Sequence, residues 1–200
     1  MDAPHSLIAA HQLRLDLALQ LLQQAGAMLP DAEPYSEPWL QGIVDALCDL
    51  SSKDALTGLV NRRSFEMALG REVDRVARSG EPALLLMLDI DHFKAVNDQH
   101  GHAAGDLVIR AVAQSIAQTV RPMDTVARIG GEEFAIILPN CPPAFGLTVA
   151  ERLRIHIEER VIKVGPSQTL GVTVSVGGAY APQWVRSTAN LWMERTHWGA

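Results

Sequence analysis

Two acidic clusters carry the chemistry available to this sequence. The first, Asp89-Ile90-Asp91-His92-Phe93-Lys94, follows directly on the apolar run Ala83 to Leu88. Such a run reads as a strand buried on both faces, so the carboxylates emerge at the rim of a rigid scaffold. Hard oxygen donors in that place suit Mg²⁺ (or Mn²⁺), which takes one or two carboxylates and leaves its other positions to water and substrate phosphate. Alone, an Asp-x-Asp is more often a solvated turn. The second cluster, Glu132-Glu133, changes that balance. It follows Gly130-Gly131, a two-residue hairpin signal because glycine accepts positive φ at both turn positions. Successive residues of a strand face opposite ways, so only one of the two glutamates readily joins Asp89. Glu132, nearest the turn, is the expected one.

The elements that position these groups alternate between helix and strand from Asp54 onward. Ser64 is expected to cap a helix that carries Phe65, Ala68, Leu69, Val73 and Val76 and ends at Ser79-Gly80. A second helical stretch holds Leu107, Ile109, Ala111, Val112 and Ile116. Strands are expected over Thr125 to Ile129 and Glu132 to Leu138, a helix over Pro143 to Arg160, and another central strand over Gly171 to Gly177. The pattern predicts an α/β (α+β) domain with its polar chemistry at strand ends and in one hairpin.

Upstream, Ser6 to Ala27 reads as a helix with a wide apolar face, bearing Leu13, Leu17 and Leu21 on one line and Leu15, Leu19 and Leu22 on another. Pro30 to Pro38 is a connection between helices. After it, Leu40, Ile43, Leu47 and Leu50 follow the a/d spacing of a short coiled-coil stalk; a helix packed on its own domain satisfies the same spacing. The expected organisation is an N-terminal helical region and linker over 1–37, a signalling or stalk helix over 38–53, and the α/β domain over 54–200.

Composition narrows the function. Hydrophobic residues make up 48% of the 200 and charged residues 20%, which suits one globular domain with an appendage. A net charge of -6 with seven scattered histidines offers no face that would neutralise a nucleic-acid polymer. Cys48 and Cys141 sit among apolar residues and read as free buried thiols, which fits a reducing, cytoplasmic compartment. Met1-Asp2-Ala3-Pro4-His5 lacks a basic segment before an apolar stretch, and Ala83 to Leu88 is far too short to cross a bilayer, so no membrane segment is expected in this chain.

Several motifs in series carry a resemblance. Gly130-Gly131-Glu132-Glu133-Phe134 is a GGEEF form of the GGDEF signature. It stands with Asp54-Ala55-Leu56-Thr57-Gly58-Leu59, Asn61-Arg62-Arg63, Asp89-Ile90-Asp91-His92-Phe93-Lys94 and Asn97-Asp98-Gln99-His100-Gly101-His102-Ala103-Ala104-Gly105-Asp106. From about Ser51 to Gly178 the chain resembles the GGDEF domain diguanylate cyclase family, and motifs in this order are far more specific than one pentapeptide.

The resemblance implies a nucleotidyl cyclase fold related to polymerase palms, with a central sheet flanked by helices. It also implies an active site formed between two domains of a homodimer, each binding one GTP, that makes cyclic di-GMP and pyrophosphate. Carried over by position, Asp89, the backbone carbonyl of Ile90 and Glu132 would hold metal, with Glu132 also helping to deprotonate the attacking hydroxyl. Lys94 would offset phosphate charge; outside the motif it would read as a solvated lysine. Asn97 and Asp106 would select guanine, since a carboxylate accepts from N1–H and N2–H₂ where adenine offers neither. His102 matches a position near the nucleotide or simply caps a turn, and Gly130-Gly131 would admit phosphate or sugar closely.

Arg121-Pro122-Met123-Asp124 matches the family's inhibitory product site in its distance from the signature. An arginine fork can take guanine O6 and N7 together, whereas an isolated Arg-x-x-Asp is usually a surface ion pair of little worth. Arg152 resembles a secondary arginine of that site.

The chain departs from the family after the Gly171 to Gly177 strand. Members usually continue into a helix with an Ala-Asp-x-Ala-Leu-Tyr-x-Ala-Lys pattern and a Gly-Arg-Asn turn, whereas this sequence closes on Leu191-Trp192-Met193-Glu194-Arg195-Thr196-His197-Trp198-Gly199-Ala200. A truncated or an altered member both fit. Intact Asp89, Lys94, Asn97, Asp106 and Glu132 favour an active cyclase over a catalytically impaired receptor for cyclic di-GMP, and an interaction module built on the N-terminal helices is the third reading.

Overall fold

The computed structural model describes residues 14–165 and 167–181, and the chain divides after Lys53 into two compact units. The first holds α1 (Asp16–Gln24) and α2 (Glu37–Ser52). Leu15, Leu19 and Leu22 pack with Trp39, Leu40, Ile43, Ala46 and Leu47 in one small core. Ser36 caps α2 by accepting from the Trp39 amide at 3.4 Å, and Pro38 occupies the first turn, where its missing N–H leaves no helical bond unmade. Glu37 and Pro38 thus belong to α2 rather than to the expected connection. The helix expected over Ser6 to Ala27 ends at Gln24, just before Gly26 at φ 68°; its residues 6–13 lie outside the described ones.

Three of the four a/d positions of α2 are taken up within the unit, and Leu50 is 43% exposed. Leu17 and Leu21, the second apolar line of α1, are 67% and 44% exposed. Cys48 is exposed, contrary to expectation, while Cys141 is buried. One residue past Leu47, Cys48 is turned by a fraction of a helical turn away from the stripe that meets α1.

The second unit is built on a mixed sheet. Its strands are β1 (Val60–Asn61), β2 (Ala83–Ile90), β3 (Thr125–Arg128), β4 (Glu133–Pro139), the small pair β5 (Ile162–Lys163) and β6 (Thr169–Leu170), and β7 (Val174–Tyr180). Its helices are α3 (Arg62–Ser79), α4 (Phe93–His100), α5 (His102–Thr119) and α6 (Pro143–Glu158). The main sheet runs β1-β3-β4-β2-β7, parallel only between β1 and β3. The expected α/β architecture, a central sheet flanked by helices, is the one found.

The apolar run of β2 follows from this topology. Leu84, Leu86, Leu88 and Ile90 enter a core with Val108, Val112 and Ile116 of α5 and Leu153 and Ile157 of α6. Ala83 and Leu85 point the other way, into a core with Phe65 and Leu69 of α3. Strand residues alternate faces, so covering both faces requires apolar side chains at every position.

Several local expectations are corrected. The cap of α3 is Asn61, whose side chain accepts from the Ser64 amide at 3.0 Å; Ser64 lies inside the helix, because an amide oxygen three residues earlier already satisfies that donor. The helix does end at Gly80, at φ 68°. Helix α4 was not foreseen. The strand expected over Gly171 to Gly177 starts at Val174 and runs to Tyr180, and among the described residues it pairs with β2 alone, at the sheet edge rather than in its centre. Among the described residues no helix is long and apolar enough to cross a membrane. The closing segment Leu191 to Ala200 lies outside the described residues.

Candidate functional site

The site forms where β2 ends and the β3–β4 hairpin turns beside it. Asp89 pairs with Glu133 in the β2–β4 ladder, and one step on the Ile90 amide donates to the Glu132 carbonyl at 3.2 Å. A strand residue directs its N–H and C=O to the same neighbour, so the Ile90 carbonyl also faces the hairpin. The β3–β4 ladder continues through a bond from the Ile129 amide to the Glu133 carbonyl at 2.9 Å. Gly130, Gly131 and Glu132 are therefore the connection, and Glu132 stands in the turn rather than on the strand.

Neither Gly130 nor Gly131 has positive φ, so the expected two-residue turn with left-handed glycines is not the one formed. Space is the reason for glycine at 130. A Cβ there would overlap the Glu133 carboxylate, which folds back over the turn. The Glu133 carboxylate thus lies against Gly130, and the Asp89 charge acts on Glu132. Burial first, and then the Asp89 charge, push the Glu132 carboxyl above its ordinary value.

Asp91 has a different task. Its carboxylate accepts from the Thr173 hydroxyl at 2.5 Å and the Ser175 hydroxyl at 2.6 Å, and its amide donates to the Thr173 carbonyl at 3.0 Å. Both of its oxygens are engaged in tying the end of β2 to β7. Among the described residues no group of three or more His, Cys, Asp or Glu side chains is placed to hold a metal ion. Two mutually repelling carboxylates and a carbonyl are instead a sparse oxygen set, which fits a hard divalent cation that keeps most of its positions for water and phosphate and does not fit a closed zinc cage.

The hairpin is held from behind by a residue that sequence reasoning passed over. Arg128, the last residue of β3, donates to the Gly131 carbonyl at 2.8 Å through one nitrogen and at 3.3 Å through another. The same guanidinium reaches both oxygens of Asp54 at 3.3 Å. Asp54 also accepts from the Thr57 amide at 3.0 Å and its hydroxyl at 2.7 Å. Burial raises the Asp54 carboxyl, but Thr57 and the Arg128 charge outweigh it and hold the group below its ordinary value. Asp54-x-x-Thr57, the spacing of a side chain accepting from the backbone three residues on, marks the Asp54 turn in the sequence, and nothing there marks Arg128.

The remaining expected residues fall in two groups. Lys94 is exposed in the first turn of α4, and Asn97 lies three residues on, a neighbour along the helix surface. Across from it, α5 brings Gly105 and Asp106: a Cβ on Gly105 would overlap the Asn97 side-chain oxygen. Helices α4 and α5 thus set Asn97 beside the first turns of α5, where Asp106 is half-buried. His102 opens α5 and is exposed.

Arg121, Asp124 and Arg152 gather at the opposite end of β3. The Arg121 amide donates to the Asp124 carboxylate at 2.7 Å, and the Asp124 amide returns a bond to the Arg121 carbonyl at 3.0 Å. Arg152 of α6 donates to the Thr119 carbonyl at 3.1 Å. Burial raises the Asp124 carboxyl above its ordinary value, against the bond from Arg121 and the charges of Arg121 and Arg152.

These features agree with what known proteins show. A family model described as diguanylate cyclase, GGDEF domain, matches residues 51–197. The response regulator PleD of Caulobacter vibrioides is 40% identical over 140 residues, 70% of this chain and 31% of that protein. Diguanylate cyclase DosC of Escherichia coli is 37% identical over 126 residues, 63% of this chain and 27% of that protein. The chain thus spans about a third of the length of these curated relatives. A crystal structure of the GGDEF domain of DgcB from Caulobacter crescentus in complex with c-di-GMP superimposes with a TM-score of 0.63 at 39% identity, covering 65% of this chain and 75% of that one. The match over most of the chain, with the motifs at their strand ends and helix starts, makes this chain a member of the GGDEF domain family.

Proposed function

We propose that the chain acts as a diguanylate cyclase, condensing two GTP into cyclic di-GMP across a pair of its domains. The observation that carries this reading is the Asp89 and Glu132 pair. Their like charges meet at the mouth of the β2–β4 ladder with the Ile90 backbone between them. A bound Mg²⁺ or Mn²⁺ would supply charge neutralisation at the reacting phosphate. Asp89, the Ile90 carbonyl and Glu132 would hold it.

The chain's own residues do the rest. Glu132, whose carboxyl is raised above its ordinary value by burial and by Asp89, accepts the proton of a GTP 3′-hydroxyl. That oxygen forms a bond to the α-phosphorus of the GTP on the partner domain, the bond from that phosphorus to the bridging oxygen of the β-phosphate breaks, and pyrophosphate leaves. The same step in the reverse sense closes the ring. Lys94 offsets phosphate charge, the side-chain-free turn at Gly131 admits the nucleotide, and Asn97 with Asp106 reads the guanine edge, His102 lying beside them at the start of α5.

Arg121 and Asp124, with Arg152, bind the product and give feedback inhibition. Their gathering at one end of β3 supports this reading, as does the c-di-GMP complex of the similar DgcB domain. Incubation of the protein with GTP and Mg²⁺, followed by chromatography, is expected to yield cyclic di-GMP and two equivalents of pyrophosphate. A folded, dimeric sample that consumes no GTP while binding cyclic di-GMP would replace the cyclase reading with that of a receptor.

A further inference from the structure

Glycine at position 105 is out of place by local preference. It is the fourth residue of the 18-residue helix α5, where alanine would be favoured by about 1 kcal/mol. Its φ is not positive, so the conformation asks nothing that alanine could not give. The cause is a close approach. Gly105 is buried, and a Cβ built on it would overlap the Asn97 Oδ1 while standing 3.1 Å from the Asn97 Cγ and 3.2 Å from the Phe93 Cζ. Asn97 and Phe93 are one turn apart on α4, so a single face of that helix rests on the bare backbone of α5.

We propose that Gly105 is a positioning residue for base selection: the missing side chain lets the Asn97 amide lie against α5 beside Asp106, so that an amide and a carboxylate from two helices form one recognition edge for guanine. This rests on the assignment of Asn97 and Asp106 to guanine made above. Binding sites tolerate misplacement of only about 0.5 Å, and a methyl group at position 105 would take the space of the Asn97 Oδ1, with the Phe93 Cζ also close at 3.2 Å. Gly105 touches no part of the nucleotide; it acts through Asn97.

The test uses 3′-deoxy-GTP and 3′-deoxy-ATP, which lack the attacking hydroxyl and so report binding alone, titrated with Mg²⁺ into the full chain. Gly105→Ala is expected to weaken 3′-deoxy-GTP at least tenfold and leave 3′-deoxy-ATP unchanged. Asn97→Ala is expected to weaken 3′-deoxy-GTP similarly, and the double variant to bind no worse than Asn97→Ala alone, since one loss cannot be taken twice. Wild-type affinity in Gly105→Ala, or losses that add in the double variant, would overturn the proposal. Should Gly105→Ala fail to fold, the melting temperature of the double variant decides: recovery to that of Asn97→Ala supports Asn97 as the group displaced, and no recovery points to Phe93 and overturns it. A wild-type protein that binds both analogues equally removes the guanine assignment itself, and this proposal with it.

Discussion

Strand β3 is four residues long, and a charged site stands at each end of it. At its start, Arg121, Asp124 and Arg152 form a mixed-charge group, with the Arg121 amide bonded to the Asp124 carboxylate, the Asp124 amide to the Arg121 carbonyl, and Arg152 anchored on Thr119. At its end, Asp89 and Glu132 are alike in charge, and Glu132 is raised by burial and by Asp89 together. The first site brings opposite charges together; the second sets the Asp89 charge against Glu132, which a cation would relieve. Over about 13 Å of strand, at ~3.3 Å per residue, the fold thus places a group of mixed charge next to a pair of like charge, and the proposed division between regulation and catalysis follows that difference.

The strongest way to break the comparison is to remove one of the two like charges. Glu132→Gln is expected to lower cyclic di-GMP formation by about 10³-fold without loss of secondary structure by circular dichroism; a loss under tenfold would mean that the repelling pair is not the reactive centre. Next comes the mixed-charge site: Arg121→Ala should raise the product concentration needed for half-inhibition at least tenfold, read from progress curves with added cyclic di-GMP. Inhibition at the wild-type concentration would leave the two ends of β3 functionally unrelated.

A smaller effect is expected from the tie behind the hairpin. Arg128→Ala strips Asp54 and the Gly131 carbonyl of a shared charged donor, and should lower the melting temperature by about 5 °C at neutral pH. The sign of its pH dependence follows from Asp54. A lowered carboxyl contributes stability that is present above its ordinary value of 3.8 and lost as pH falls through the lowered one. The gap between wild type and variant should therefore close in acid, and a gap that persists there would assign the loss to packing.

The subtlest test concerns Glu132 in the absence of substrate. Its raised carboxyl means that protons compete with metal at higher pH than for an ordinary glutamate. Mn²⁺ affinity measured by titration between about pH 5 and 8 should fall toward acid, and metal-free Glu132→Gln should melt about 1 °C higher than wild type, since it removes a repulsion. A metal-free variant that melts lower would show that Glu132 is held by something other than Asp89's charge.

How far the sequence could be read depended on whether a side chain's task was local. The β2 run and the motif order announced a sheet with carboxylates at its rim because hydrophobic periodicity and buried strands leave a direct trace. Helix α4 left little: in Phe93-Lys94-Ala95-Val96-Asn97-Asp98-Gln99-His100 only Phe93 and Val96 are apolar at helical spacing, too few to mark a helix face. The Gly130-Gly131 turn was misread because a glycine pair signals freedom of φ, whereas here Gly130 makes room for a carboxylate three residues on, a contact no pattern of neighbours displays. Arg128 was silent for the same reason. Its partners, Asp54 and the Gly131 carbonyl, meet only after β1, β3 and the hairpin have assembled. Cys48 was misjudged because apolar neighbours in the chain are not neighbours on a helix.

The brevity of β3 also fixes what variation this chain can survive. Val126 and Ala127 are buried on opposite faces, while Ala127 pairs with Val60 on one side and Ala135 on the other. Deleting or inserting one residue between Asp124 and Gly130 would send each of these side chains into the layer built for the other. The interval between the arginine motif and the glycine pair is therefore a molecular ruler: substitutions can drift along it, but its length cannot, which is why that distance can be counted in the sequence at all.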